Sequence, residues 1–211
     1  MMEIIFDGRS SLKHYGLILK SYTLTSPVRK RYLYSVPGGD GDVDLMKGLG
    51  PARYENRTLR AEFTISASNP KQTVDKLLNE LEGATVPIIL PDDPSVYLEG
   101  DIHISAASVR QGGALVILAT CLPWRYRCQD TVIDVHACEA DTVHTWYNEG
   151  KRDAVPELTV LDTAYITVGG STLQFDPGTH ITTALAIPGR SAISVTIRGG
   201  ALTARYKEAI L

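Results

Sequence analysis

A proline, three glycines and three aspartates crowd into one short stretch, Val36-Pro37-Gly38-Gly39-Asp40-Gly41-Asp42-Val43-Asp44. Proline restricts the backbone angle φ and glycine accepts positive φ, so the stretch predicts a sharp, acidic turn. It follows a strand-like run at residues 31–36 and precedes another at 56–66. We therefore expect it to connect two strands of a β-rich fold.

Three nearby carboxylates, those of Asp40, Asp42 and Asp44, raise the question of a metal site. Their spacing is like the opening of an EF-hand loop, which needs glycine at its sixth position and glutamate at its twelfth. Leu45 and Pro51 stand at those positions, so an EF-hand is excluded. The cysteines form no C-x-x-C pair that would indicate zinc. We expect no metal site.

The composition is that of an ordinary globular protein. The 211 residues carry a net charge of −3 and are 44% hydrophobic, which suffices for one large domain or two modest ones. Without a basic excess the chain is not suited to gripping nucleic acid through phosphates. The N-terminus shows no signal peptide, and no apolar run is long enough to cross a bilayer. We expect neither export nor membrane anchoring.

Catalytic chemistry is also not indicated. The sequence contains neither a G-x-S-x-G elbow nor an H-E-x-x-H motif, so we predict that the protein is not an enzyme and takes no cofactor. The chain has an odd number of cysteines, Cys121, Cys128 and Cys138, and shows no export signal. We predict that all three stay reduced.

Most of the chain alternates with period two between glycines and prolines, which is typical of an all-β protein. Glycine pairs can supply the positive φ angles of two-residue hairpin turns. Three pairs predict hairpins: Gly112-Gly113 between 102–109 and 114–120, Gly169-Gly170 between 165–168 and 172–175, and Gly199-Gly200 between 192–197 and 202–206.

One segment, residues 70–82, predicts a helix instead. Asn69 suits the N-cap, Pro70 the first helical position, and Gly83 the end. Apolar residues recur at i, i+3, i+4 and i+7, so we expect one buried stripe on the helix, made of Val74, Leu77, Leu78 and Leu81.

Residues 122–129, with a proline that stops a strand, mark the expected domain boundary. Before it, residues 1–127 predict a β-rich domain with the helix. After it, residues 128–211 carry short strands with regular turns, which predict a small antiparallel sandwich.

Several loops and strand ends follow one another in an order that resembles siphophage distal tail (Dit) proteins. The segments are Phe6-Asp7-Gly8-Arg9-Ser10-Ser11, Tyr15-Gly16-Leu17, the Pro37 turn, Asn56-Arg57-Thr58-Leu59, Cys121-Leu122-Pro123-Trp124-Arg125-Tyr126 and Ala204-Arg205-Tyr206-Lys207-Glu208. The resemblance covers nearly the whole chain. Each segment is a weak signal alone, but their order is specific, because core patterning leaves loops free to vary.

The resemblance implies a mainly β protein with an N-terminal ring-forming domain and a C-terminal galectin-like β-sandwich. It implies a structural virion protein, assembled in the bacterial host cytoplasm and located at the tail tip. Its ring would be a homo-hexamer that joins the tail tube protein to baseplate or tail-tip proteins, such as a tail-associated lysin, and to host-recognition proteins. DNA would pass through the ring lumen without being bound by sequence.

The residues expected at the ring interface lie in and after the turn: Pro37, Gly38, Asp40, Tyr54, Asn56 and Arg57. Arginine supplies a rigid fork of donors and tyrosine an amphipathic anchor, both common at interfaces. A second interpretation stays open, in which Asn56 and Arg57 only tie the turn to its own domain.

The rival function is a carbohydrate-binding module for host receptors. β-Sandwiches often carry ligand sites, and Trp146 with Tyr147 could offer an aromatic platform to a sugar. On this reading the two rings would stand exposed at a loop or strand end.

Overall fold

The computed structural model describes residues 2–105 and 114–211, and the chain forms two compact units, Met1–Trp124 and Arg125–Leu211. The division falls after Trp124, whereas the sequence predicts it after residue 127. Each unit has its own hydrophobic core. Nearly all regular structure in the described residues is β, with one α-helix, so the predicted mainly β fold is confirmed.

The first unit is built on an antiparallel sheet. Its elements in chain order are β1 (Ile5–Phe6), β2 (Arg9–Ser10), β3 (Leu17–Leu24), β4 (Leu33–Ser35), β5 (Asp42–Asp44), a 3-10 helix (Leu45–Leu49), β6 (Arg57–Ile65), α1 (Pro70–Leu81), β7 (Thr85–Ile89), β8 (Val96–Ser105) and β9 (Ala114–Arg127). The strand order is β2-β1-β7-β8-β9-β6-β3, and β9 continues into the second unit. Strands β4 and β5 pair only with each other among the described residues.

Helix α1 begins where the sequence predicts, because the Asn69 side chain accepts a hydrogen bond from the Gln72 amide at 3.2 Å. Val74, Leu77 and Leu81 are buried as expected. The prediction for Leu78 is wrong, since 39% of that residue is exposed. The buried side of the helix is made of Thr73, Val74, Leu77 and Leu81. It is turned away from Leu78 and toward Thr73, so Leu78 lies at the boundary with solvent.

The second unit is an antiparallel sandwich, as predicted. Its strands are β10 (Thr131–Val135), β11 (Cys138–Asn148), β12 (Glu157–Val160), β13 (Ala164–Val168), β14 (Ser171–Phe175), β15 (Gly178–Ile181), β16 (Ser191–Gly199), β17 (Leu202–Tyr206) and β18 (Ala209–Ile210), with a 3-10 helix at Thr183–Leu185. One sheet has the order β10-β17-β12-β15 and the other β11-β16-β13-β14. Both sheets contribute inward side chains to one core. Strand β18 pairs with the end of β9.

The glycine pairs have different fates. Gly169-Gly170 makes the predicted hairpin between β13 and β14, with φ of 55° and 82°. The predicted hairpin at Gly199-Gly200 is wrong, because β16 and β17 lie in different sheets. There the chain crosses the sandwich so close to its neighbours that a methyl group on Gly200 would overlap the Asp162 carbonyl. The predicted turn at Gly112-Gly113 lies outside the described residues.

The three cysteines are free thiols, with Cys121 buried and Cys128 exposed. Burial raises the pKa of the Cys121 thiol to about 11. Within the described residues, no helix combines the length and the apolar character needed to cross a membrane.

Candidate functional site

The segment between β3 and β6, residues 25–56, forms an exposed arm. None of these residues is buried, although the strands on either side supply core residues such as Leu17 and Phe63. Eight of the seventeen exposed large hydrophobic side chains in the described chain lie in this arm: Val28, Tyr32, Leu33, Tyr34, Val36, Val43, Leu45 and Leu49. The arm therefore concentrates apolar surface that its own subunit leaves uncovered.

The base of the arm is fastened by hydrogen bonds between its first residue and the start of β6. The Arg57 Nε donates to the Thr25 carbonyl at 2.8 Å, and the Thr58 amide donates to the Thr25 hydroxyl at 2.8 Å. The Thr25 amide donates in turn to the Thr58 carbonyl. Arg57 is only 8% exposed. Arg57 therefore ties the arm to its own domain through this bond, in keeping with the second interpretation left open for it from the sequence.

Above the base the two sides of the arm stay paired. Lys30 donates its amide to the Arg53 carbonyl, and Glu55 donates to the Val28 carbonyl, both at 2.8 Å. Beyond them β4 and β5 form a short antiparallel ribbon with Tyr34 opposite Val43. The arm is therefore a continuous hairpin-like extension of the β3–β6 pair.

The tip of the arm is the Pro37 turn. Gly39 donates its amide to the Val36 carbonyl at 3.0 Å, and Gly38 has φ of 80°. Proline followed by a glycine with positive φ is the pattern of a type II turn. The predicted turn is present, but it joins β4 to β5, and the expectation that it leads directly into β6 is wrong.

The aspartates of the turn do different work from metal ligands. Asp42 and Asp44 lie in β5, and the Asp44 carboxylate accepts the Met46 amide at 3.1 Å, which caps the 3-10 helix. Asp40 is exposed at the tip. The described residues contain no group of three or more possible metal ligands.

Side chains alternate along the ribbon, so its two faces differ. Tyr34 and Val43 face each other, and alternation carried one residue beyond each end of β4 puts Tyr32 and Val36 on the same face. The other face carries Leu33, Ser35, Asp42 and Asp44. We call the face that carries Tyr34 and Val43 the apolar ribbon face. A lone two-stranded ribbon is marginally stable in water, so covering the apolar ribbon face would stabilise it.

The structure separates the predicted interface residues into two groups. Pro37, Gly38 and Asp40 lie together at the exposed tip, whereas Tyr54 and Asn56 lie near the base. The Tyr54 ring packs edge-on against Trp124, with centroids 5.5 Å apart. The apolar ribbon face was not among the predicted site residues. Its period-two alternation is visible in the sequence, but it looks the same as that of a strand whose apolar face is buried.

The proposed sugar platform is not formed. Trp146 is fully buried in the core of the second unit, so its ring has no face to offer a ligand. Tyr147, the next residue on β11, points to the other side and is 51% exposed. Successive strand residues alternate sides, so these two rings cannot form one platform.

Fold and arm together define a two-unit β protein whose first unit carries an exposed, amphipathic ribbon. The full chain matches the crystal structure of the Dit protein (gp 19.1) of phage SPP1, with a TM-score of 0.69 and 14% sequence identity, over 100% of both chains. That protein is described as a paradigm of the hub adsorption apparatus in phages that infect Gram-positive bacteria. The likeness to distal tail proteins predicted from the sequence is confirmed at the level of the fold.

A de novo designed double-stranded β-helix aligns with 38% of this chain at 17% identity, but the TM-score of 0.25 is too low for a common fold. No protein-family model and no curated protein sequence matches the chain.

Proposed function

We propose that this protein is a structural component of a phage tail, a distal tail hub with no catalytic role. The observation that carries the proposal is the match to SPP1 Dit over the full length of both chains. A fold alone does not define a function, but both units align, and the arm adds a surface that needs a partner.

The hub is a homo-hexameric ring at the virion tail tip, built from the first unit after synthesis in the bacterial cytoplasm. In a ring each subunit presents one surface to the next subunit and receives a different one, so the contact is heterologous. The arm suits this role because it is exposed, stiffened by its own hydrogen bonds and apolar on one face. The ring places one subunit's apolar ribbon face against the next subunit.

Specific residues take defined parts in that contact. Tyr34 and its neighbours on the apolar ribbon face supply buried area, since tyrosine often anchors interfaces. The turn at Pro37, Gly38 and Asp40 presents a conformationally restricted tip. Tyr54 and Asn56 complete the contact at the base, where Arg57 holds the arm in place.

The ring has neighbours on both sides in the tail. The ring joins the tail tube protein to baseplate or tail-tip proteins, including a tail-associated lysin, and DNA passes through its lumen. The second unit, as a galectin-like sandwich, contacts these partners. No basic excess is needed for this, because the DNA passes without being bound.

Native mass spectrometry of the full chain over a concentration series tests the ring. We expect hexamers that dissociate on dilution, since association must overcome lost rotational and translational freedom. Tyr34→Ala should shift the assembly to higher concentration. Tyr147→Ala is the matched control, because Tyr34 is 54% exposed and Tyr147 is 51% exposed but lies in the second unit.

Two results would count against the proposal. A protein that stays monomeric at all concentrations, and also when mixed with tail tube protein, would contradict the ring. Equal weakening of hexamer formation by Tyr34→Ala and Tyr147→Ala would contradict the arm as the contact between subunits.

A further inference from the structure

Charge is divided unevenly along the arm. Its outer part, residues 32–46, holds three aspartates and no cationic side chain, whereas its inner parts, residues 25–31 and 47–56, hold five cations and one carboxylate, that of Glu55. The five cations are Arg29, Lys30, Arg31, Lys47 and Arg53. The arm therefore separates charge along its length, although the whole chain carries a net charge of only −3.

Three of the cations lie near one another and point to solvent. The Lys30 amide donates to the Arg53 carbonyl at 2.8 Å, and Arg31 is the next residue along the chain. All three residues are exposed. None of them forms an ion pair with another residue that the structure describes. We call Lys30, Arg31 and Arg53 the basic root of the arm.

Two exposed carboxylates stand at the other end of the arm. Asp40 lies in the Pro37 turn, and Asp42 begins β5. Within the described parts of the chain neither of them is in an ion pair. Asp44 is not counted with them, because its carboxylate already caps the 3-10 helix. We call Asp40 and Asp42 the acidic tip.

The acidic tip and the basic root of one arm are too far apart to neutralise each other. Six residues of extended chain lead from Lys30 to Val36, just before the turn, which amounts to roughly 20 Å. This is more than twice the Debye length of about 8 Å at physiological ionic strength. Each group therefore remains available to an oppositely charged surface on another molecule.

A ring of identical subunits can supply that surface. In a heterologous contact, one surface of a subunit meets a different surface of the next subunit, and the contact repeats until the ring closes. The arm carries two surfaces of opposite charge at its two ends. A contact between like ends would bring like charges together, which is disfavoured. The charge pattern therefore favours a head-to-tail contact over a two-fold one.

We propose that the acidic tip of each arm docks on the basic root of the arm in the next subunit, an inference that rests on the ring proposed above. The occupant of the basic root is thus a second copy of this chain. Arg31 and Arg53 each offer a carboxylate a planar fork of donors. The apolar ribbon face packs beside this contact and supplies buried area, while the charges fix the direction and the register of the arms.

Two charge-reversal variants of the full chain test the contact. Asp40→Lys with Asp42→Lys reverses the acidic tip, and Lys30→Glu with Arg53→Glu reverses the basic root. Native mass spectrometry should show that each variant alone needs a roughly tenfold higher concentration to form hexamers, because two exposed contacts become repulsive at every interface. An equal mixture of the two variants should form hexamers near the wild-type concentration, as alternating rings with three subunits of each kind.

A matched control changes the net charge by the same amount as the root reversal. Lys151→Glu with Arg190→Glu replaces two exposed cations that form no ion pair within the described residues, and the Arg190 amide donates to the Gly150 carbonyl beside Lys151. This control should leave hexamer formation unchanged. Protection of the β6 amides from hydrogen exchange should be the same in all variants as in the wild type, which shows that the first unit remains folded.

The outcomes separate this contact from the ring itself. Wild-type hexamers with no rescue in the mixture, or with no loss in either variant, would overturn the contact between tip and root and leave the ring standing. Variants that form normal hexamers but no longer bind tail tube protein would assign the charges to that partner and would also overturn the contact. A wild-type chain that forms no hexamers would overturn the ring and this contact together.

Discussion

Two adjacent leucines on helix α1 give the sharpest test of how the first unit is held together. Leu77 is fully buried in its core, whereas Leu78 is 39% exposed on the same turn of the same helix. Replacing each with alanine removes the same atoms from the same secondary structure. Any difference in the free energy of unfolding therefore comes from packing.

For Leu77→Ala the loss of buried methylene and methyl groups amounts to about 2 kcal/mol of transfer free energy, and the cavity left behind raises the total to about 2–5 kcal/mol. For Leu78→Ala the burial lost is smaller, and alanine's better helix propensity offsets part of it. We expect about 1 kcal/mol or less at that position.

Amide hydrogen exchange in increasing urea, followed by mass spectrometry, measures the free energy of unfolding of the first unit separately from that of the second. Peptides from β6 report on the first core, and peptides from β12 and β13 report on the second, so the two units need not unfold together. A loss below roughly 0.5 kcal/mol for Leu77→Ala, or a larger loss for Leu78→Ala, would refute the packing described for α1.

Three further predictions follow from single residues. Under native conditions at pH 8 an alkylating reagent should modify Cys128 and Cys138 but not Cys121, because the Cys121 thiol is buried and its pKa is raised to about 11. The intact mass should be the same with and without reductant, and a reductant-sensitive link would contradict free thiols. Gly200→Ala should lower the unfolding midpoint of the second unit in a thermal melt, whereas Gly48→Ala, at a site open to solvent, should leave the unfolding midpoint of the first unit unchanged. Equal effects would show that the chain crossing at Gly200 has room for a side chain. Burial and the hydrogen bond to Asp92 raise the pKa of Tyr22 to about 12, above its value in the unfolded chain. The contribution of Tyr22 to the free energy of unfolding is therefore complete below about pH 10 and is lost as the pH rises toward 12. Tyr22→Phe should make the loss of stability with pH less steep in urea titrations, and an unchanged slope would contradict this.

Local signals in the sequence predicted local structure well. The N-cap at Asn69 and the turn at Gly169-Gly170 depend on a few neighbouring residues, and both form as expected. The glycines at 199 and 200 show the limit of such signals. A glycine pair serves a tight hairpin and a close crossing between sheets equally well, and only the tertiary fold decides between them.

The candidate site was predicted less well, because exposure is a property of the whole fold. Period-two alternation at Tyr32, Tyr34 and Val36 indicates a strand but not whether another layer covers it. Trp146 and Tyr147 are one residue apart, and which of them faces the core depends on how β11 sits in the sandwich. Arginine is common at interfaces, and only the fold shows that Arg57 is 8% exposed and that its Nε donates to the Thr25 carbonyl.

We propose that this chain forms the ring of a tail hub through its first unit. Cryo-electron microscopy of tail tips from particles that contain this protein would show that ring itself. We predict a sixfold collar between the tail tube and the tip proteins, with the ribbon at residues 33–44 of each subunit packed against its neighbour. A tail tip in which this protein occupies only peripheral, fibre-like positions, or in which the ribbon points into solvent, would contradict it.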